Sequence, residues 1–155
     1  MSASQIGIRP LKPGDIAAIM HLHRELGWNP AFQADGSTLR QRLEALITEE
    51  NALLLVAELE GKVVGYIHGE IVTYLLFAGR EMLVSELFVM ADARGRGVGR
   101  ALMNAIEVEA VRRKCFRISV LNSRERESYK RGFYPTLGYE ERSHTANFTK
   151  RLDWG

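Results

Sequence analysis

Cysteine is nearly absent from this chain. Of 155 residues only Cys115 is one, so no disulfide can close within the chain. Cys115 sits just before a strand-like run and is expected as a small core residue. A catalytic thiol needs a base within reach, and no local feature supplies one. A charge excess is missing too. The 21 Lys and Arg residues against 19 Asp and Glu leave a net charge of +2, too balanced to argue for a nucleic-acid partner. No apolar run approaches the ~20 residues that a membrane span needs. The first residues, Met1-Ser2-Ala3-Ser4-Gln5, carry no basic patch followed by an apolar stretch. The expected setting is therefore the cytoplasm, with no membrane partner. No metal site is expected: His21 and His23 are two apart and diverge on a helix, while His68 and His144 stand alone.

Two common phosphate-binding signatures are also lacking. The Gly-Lys dipeptide, Gly61-Lys62, is followed by Val63 rather than Ser or Thr, which excludes a P-loop. A dinucleotide fingerprint needs a third glycine where Arg100 or Leu102 stands, and an acidic residue where the next strand ends at Asn122.

What the chain does have is Arg94-Gly95-Arg96-Gly97-Val98-Gly99 between a strand-like run, Leu83 to Met90, and a helix-like one with Val98, Ala101, Leu102, Ala105 and Ile106 at helical spacing. A bare turn needs one glycine. Three within five residues, flanked by arginines at 94, 96 and 100, favour main-chain N–H groups turned toward an anion at a helix N-terminus. Basic residues also gather at 94–100, 112–117 and 124–131.

The hydrophobic pattern places strands at Ile6–Arg9, Ala52–Leu59, Val63–Thr73, Leu83–Met90 and Arg117–Leu121. Helices are expected over Pro13–Leu26, from an N-cap at Ser37 to about Thr48, from the glycine loop to about Lys114, and up to Leu137. Glu60-Gly61-Lys62 reads as a hairpin turn. Gly138 fits a left-handed helix terminus. Tyr139–Ser143 and Ala146–Leu152 read as a closing hairpin. Length, 46% hydrophobic and 26% charged content fit one domain over residues 1–155.

Arg94, Gly97 and Gly99 in Arg-x-x-Gly-x-Gly, with Glu86-Leu87-Phe88-Val89 before them and Phe133-Tyr134-Pro135-Thr136-Leu137-Gly138-Tyr139 downstream, resemble the two signatures of the GNAT superfamily of N-acetyltransferases. The resemblance implies an α/β (α+β) GNAT fold. Its sheet would be mixed, mostly antiparallel and of about seven strands, with helices on both faces and the order β-α-α-β-β-β-α-β-α-β-β. It implies acetyl-CoA as co-substrate and a small-molecule amine as acceptor. Phosphate contacts would fall on Arg94, Gly95, Arg96, Gly97, Val98, Gly99 and Arg100. The strand backbone at Leu87, Phe88 and Val89, and Asn122, would meet the pantetheine arm. Tyr134 would be the general acid, with Tyr129 a competitor outside the motif. Glu86 is the candidate base, with a surface or ion-paired role as its alternative and Glu70 next in line.

The family's acceptor pocket would map to Leu26–Ser37, including Trp28 and Phe32, and to Arg142–Thr145. The C-terminal half bears some likeness to aminoalkylphosphonate N-acetyltransferases, in which case Arg142 would meet an anionic group. A polyamine, an amino acid, an aminoglycoside, a protein N-terminus and a protein lysine stay open as acceptors. So does a non-catalytic acyl-CoA sensor, which would not depend on Tyr134 or Glu86. Tyr74-Leu75-Leu76-Phe77 is open between a substrate channel, a homodimer contact and ordinary core.

Overall fold

The computed structural model describes residues 5–27 and 35–153. They divide into two compact units, one up to Leu121 and one from Asn122 onward.

The first unit is a five-stranded sheet in the order β1-β2-β3-β4-β5, comprising β1 (Gly7–Pro10), β2 (Ala52–Leu59), β3 (Lys62–Thr73), β4 (Arg80–Val89) and β5 (Cys115–Val120). Neighbours from β1 to β4 are antiparallel, and β4 pairs with β5 in parallel. That parallel pair needs a crossover, which α3 (Val98–Arg112) provides. β2 and β3 meet through Glu60 and Gly61, at φ 52° and 75°, the positive values a two-residue hairpin turn needs.

Helices cover both faces. On one, α1 (Ile16–Glu25) and α2 (Gly36–Ile47) bury Ile16, Ile19, Leu22, Leu39 and Leu43 against Val56, Tyr66 and Phe88. On the other, α3 buries Leu102, Met103 and Ile106. α3 presses so closely that a Cβ on Gly69 would stand 2.6 Å from Ile106 Cδ1.

Several expected boundaries move. β4 begins at Arg80, not Leu83. The first helix opens as a 3₁₀ turn at Pro13–Asp15. The N-cap of α2 is Asp35 rather than Ser37: its Oδ1 accepts Thr38 N–H at 2.8 Å and the Ser37 hydroxyl at 2.9 Å. A carboxylate two residues earlier has taken the capping role, and Ser37 serves it as a donor. Tyr74–Phe77 is not core, since Leu75 and Leu76 are exposed.

In the second unit, the single helix expected to end near Leu137 is two one-turn helices, α4 (Glu127–Lys130) and α5 (Phe133–Thr136), separated by Gly132 at φ 66°. Gly138 is left-handed as expected, at φ 89°. The closing hairpin does not form a ladder. Among the described residues the sheet has five strands, not about seven, and the two strands expected over 139–152 are missing. A turn does close there, with Thr145 N–H on Arg142 O at 3.2 Å. The flanking segments, however, bury no face, and Phe148 and Leu152 are exposed.

Candidate active site

The site is built on one irregularity of β4. His68 pairs with Glu86 and Gly69 with Val84, which leaves Ser85 as an extra residue, a β-bulge. The bulge reverses the alternation. Met82 turns toward α3, its Sδ near Gly69, whereas Glu86 and Phe88 point to the opposite face. There they line a cavity of about 290 Å³ with Leu11, Ile19, Leu39, Leu43, Leu54, Tyr66 and His68.

Glu86, itself exposed, is anchored on the wall of that cavity. Tyr66 Oη donates to Glu86 Oε2 at 2.5 Å, and His23 Nε2 stands 2.8 Å from the same hydroxyl. The phenol has a single proton and gives it to the carboxylate, so His23 Nε2 must carry the proton of the second bond. Burial, then the charge of Glu86 and this hydrogen bond, push the Tyr66 phenol far above its ordinary range. Burial also depresses His23 below its usual value, against the pull of Glu86. Both tend to stay uncharged at neutral pH.

His68 lies across the ladder from Glu86. Its Nδ1 is 3.0 Å from Ser85 Oγ. Its Nε2 is buried with no hydrogen-bond partner. The carboxylate of Glu70, itself exposed, comes only to 3.5 Å from it, too long for a good hydrogen bond.

The other edge of β4 is open over the same residues. β5 pairs with it only from Arg80 to Val84. Met90 N–H points to β3, bonding Val64 O at 2.8 Å. Main-chain direction alternates along a strand, so Phe88 also faces β3 while Leu87 and Val89 present N–H and C=O to the open edge. The Arg94 Nε caps Val89 O at 3.0 Å.

The chain then enters the glycine loop. Gly95 and Gly97 are left-handed, at φ 72° and 85°, and residues 94–97 are exposed. Gly97 caps α3 through its backbone, and Ala101 N–H is the first to return, to Gly97 O at 2.9 Å. The N–H groups of Val98, Gly99 and Arg100 precede any intrahelical acceptor and point out of the helix end, where the dipole favours an anion. Arg96 lies 3.6 Å from Glu60.

In the second unit Tyr134 is half-buried, its ring edge-on to Phe133 and Tyr139 at centroid distances of 5.0 and 6.1 Å. Burial raises its phenol above the ordinary value, with Arg126 opposing, so it stays protonated. Tyr129 is already committed, donating to Glu141 Oε2 at 2.8 Å. Asn122 Oδ1 accepts from Ser128 at 3.1 Å, while its Nδ2 is buried without a partner among the described residues. Trp28 and Phe32 lie outside the described residues.

His23 and Tyr66 escaped the sequence reading, because each looks like an ordinary member of an apolar periodic segment. The available signal was strand parity: Tyr66 shares its face with His68.

A carboxylate on the wall of a largely apolar cavity thus lies on the strand segment whose other edge is open and which runs into a helix N-terminus. The comparisons give the family. The acetyltransferase (GNAT) family model matches residues 18–139. This chain belongs to that family, and it is an acyltransferase with acetyl-CoA as co-substrate. Three solved structures share the fold. A transcriptional regulator from Bacillus halodurans has TM-score 0.79 at 19% identity, over 96% of this chain and 100% of its own. Glucosamine-6-phosphate N-acetyltransferase from Arabidopsis thaliana has TM-score 0.80 at 18% identity, over 96% and 99%. Aminoglycoside N-acetyltransferase AAC(6')-Iy in complex with CoA has TM-score 0.78 at 19% identity, over 96% and 97%. No helix among the described residues is long and apolar enough to cross a membrane.

Proposed function

We propose that the protein moves an acetyl group from acetyl-CoA to the primary amine of a small molecule by direct attack. The observation that carries this reading is Glu86: its carboxylate sits on the cavity wall at the very segment of β4 whose opposite edge is open. Bound there, acetyl-CoA supplies an acyl group activated as a thioester.

The chain's own groups divide the work. The N–H groups of Gly95 to Arg100, with Arg94, Arg96 and Arg100, hold the diphosphate. Leu87, Phe88 and Val89 provide the strand segment whose open edge pairs with the pantetheine amides as an added strand would, and the unpartnered Asn122 amide donates to the same arm. An alkylamine of pKa about 10 arrives as an ammonium and cannot attack until it loses a proton. Glu86 takes that proton, while Tyr66 holds the other carboxylate oxygen still. Tyr134, protonated at neutral pH, gives its proton to the departing thiolate.

The test is Tyr134→Phe. Turnover should fall by roughly 10² or more, the scale of general acid catalysis, with acetyl-CoA affinity by calorimetry unchanged. Turnover at the wild-type level would remove Tyr134 from the acid role.

A further inference from the structure

The cavity also constrains which amine is acetylated. We propose that it selects a primary amine carried on a small apolar body, with the nitrogen held from two sides by Glu86 and His68. This rests on the acetyltransferase reading above.

Size is the first argument. A cavity of about 290 Å³ lies at the lower end for ligand sites, which run from about 300 to 1,000 Å³. That volume matches a small amine body better than a multi-ring amino sugar. The walls are the second. Leu11, Ile19, Leu39, Leu43 and Leu54 are among the apolar side chains that line it, and Glu86 is the sole carboxylate among the lining residues. A polycation would bring several ammonium and hydroxyl groups into this wall without partners, each at a desolvation cost. The one fixed cation of the lining, Arg42, opposes a second positive charge.

The polar capacity left over is the third argument. His23 and Tyr66 are used up in holding Glu86 Oε2. Ser85 Oγ stands 3.0 Å from His68 Nδ1 and can donate to the His68 carbonyl at 3.3 Å; in that arrangement its oxygen accepts Nδ1–H. The neutral imidazole then keeps its lone pair on Nε2, the buried and unpartnered atom. Two acceptors remain, Glu86 Oε1 and His68 Nε2, from residues that the bulge sets opposite each other. An ammonium group satisfies both and retains a third N–H. The bulge residue therefore does two things: it turns Glu86 toward the cavity and brings its own hydroxyl to 3.0 Å from His68 Nδ1.

The experiment is a thiol-release assay at saturating acetyl-CoA. Its acceptors are n-alkylamines from propyl to hexyl, phenethylamine, spermidine, an aminoglycoside and a short peptide with a free N-terminus. Acetyl-CoA binding is checked by calorimetry on the same preparation. The expected result is kcat/KM rising roughly four-fold per methylene, from about 0.8 kcal/mol each, until the cavity is full, and exceeding the polycations by at least about a hundred-fold. His68→Ala should raise KM for the alkylamines at least about ten-fold with acetyl-CoA affinity unchanged, and His68→Gln, which restores an acceptor, should recover part of it. Highest turnover with the polycations or the peptide, or no dependence on chain length, would overturn the proposed substrate class while leaving the transferase standing. An unchanged KM in His68→Ala would overturn the two-sided grip. Acetyl-CoA bound but no thiol released with any amine would defeat the transferase reading itself, and this inference with it.

Discussion

Tyr66 Oη lies 2.5 Å from Glu86 Oε2, donating its proton from β3 to β4 on the sheet face that α1 and α2 cover. Tyr66 is almost wholly buried, so its hydroxyl has no water to turn to and the carboxylate is fixed by it. Tyr66→Phe removes the bond and strands the His23 N–H. A hydrogen bond to a charged group is worth about 1.5–3 kcal/mol. The variant should lose roughly ten- to a hundred-fold in kcat/KM and about 1–3 kcal/mol of stability, read by steady-state assay and urea unfolding. Acetyl-CoA affinity should not move.

His23 has its pKa lowered from the ordinary 6.5, chiefly by burial. Its folded value lies below its unfolded one, so the unfolded chain takes up the proton first as pH falls. The stability it contributes is complete above about 6.5 and is lost as pH drops through the folded value. An NMR titration of the His23 ring should give a midpoint below 6.5 in wild type. In Tyr66→Phe the midpoint should shift, because the ring loses the Tyr66 hydroxyl. A wild-type midpoint above the ordinary value would contradict this.

Asp15 anchors the start of α1 against β1. Arg9 reaches it with two bonds of 2.8 and 2.9 Å, and Lys12 N–H adds a third at 2.8 Å. The Arg9 bonds, opposed by burial and helped by the Lys12 N–H, hold the carboxyl below 3.8. The stability this gives is present above the unfolded value and lost as pH falls through the folded one. Breaking a buried pair costs about 3–5 kcal/mol. The guanidinium here is partly exposed, so Arg9→Ala should sit at or below the low end of that range at pH 7. Urea melts should show the deficit shrinking toward pH 3.

Gly97 has space for a side chain, since a Cβ there would meet only Ile6 Cδ1 at 3.8 Å. Its φ of 85° is what excludes one. Gly97→Val should cost about 1–2 kcal/mol in backbone strain and weaken acetyl-CoA binding by displacing the N–H groups that follow. Calorimetry and thermal unfolding on the same variant test both.

The sequence carried the glycine loop, the Glu60-Gly61 hairpin and the helical faces, because each rests on local chemistry. Residues 52–59 could be bounded as a strand from composition alone. The bulge at Ser85 could not be seen, because a one-residue slip in pairing depends on the partner strand rather than on β4 itself. The bulge decides that Glu86 meets His68, so the cavity's polar set stayed hidden with it. The Asp35 cap was missed because Ser37 offered an equally good capping residue nearer the apolar run. The final hairpin was expected over 139–152, segments that no neighbouring ladder takes up among the described residues.

Glu86 carries the account. In Glu86→Gln the carboxamide keeps the shape and the Tyr66 hydrogen bond but loses the charge that accepts a proton. The account predicts that kcat/KM for the preferred amine at pH 7 falls by roughly a hundred-fold or more, with acetyl-CoA affinity unchanged and part of the loss recovered at high pH, where the amine is already free. Turnover in Glu86→Gln equal to wild type across the pH range would contradict it.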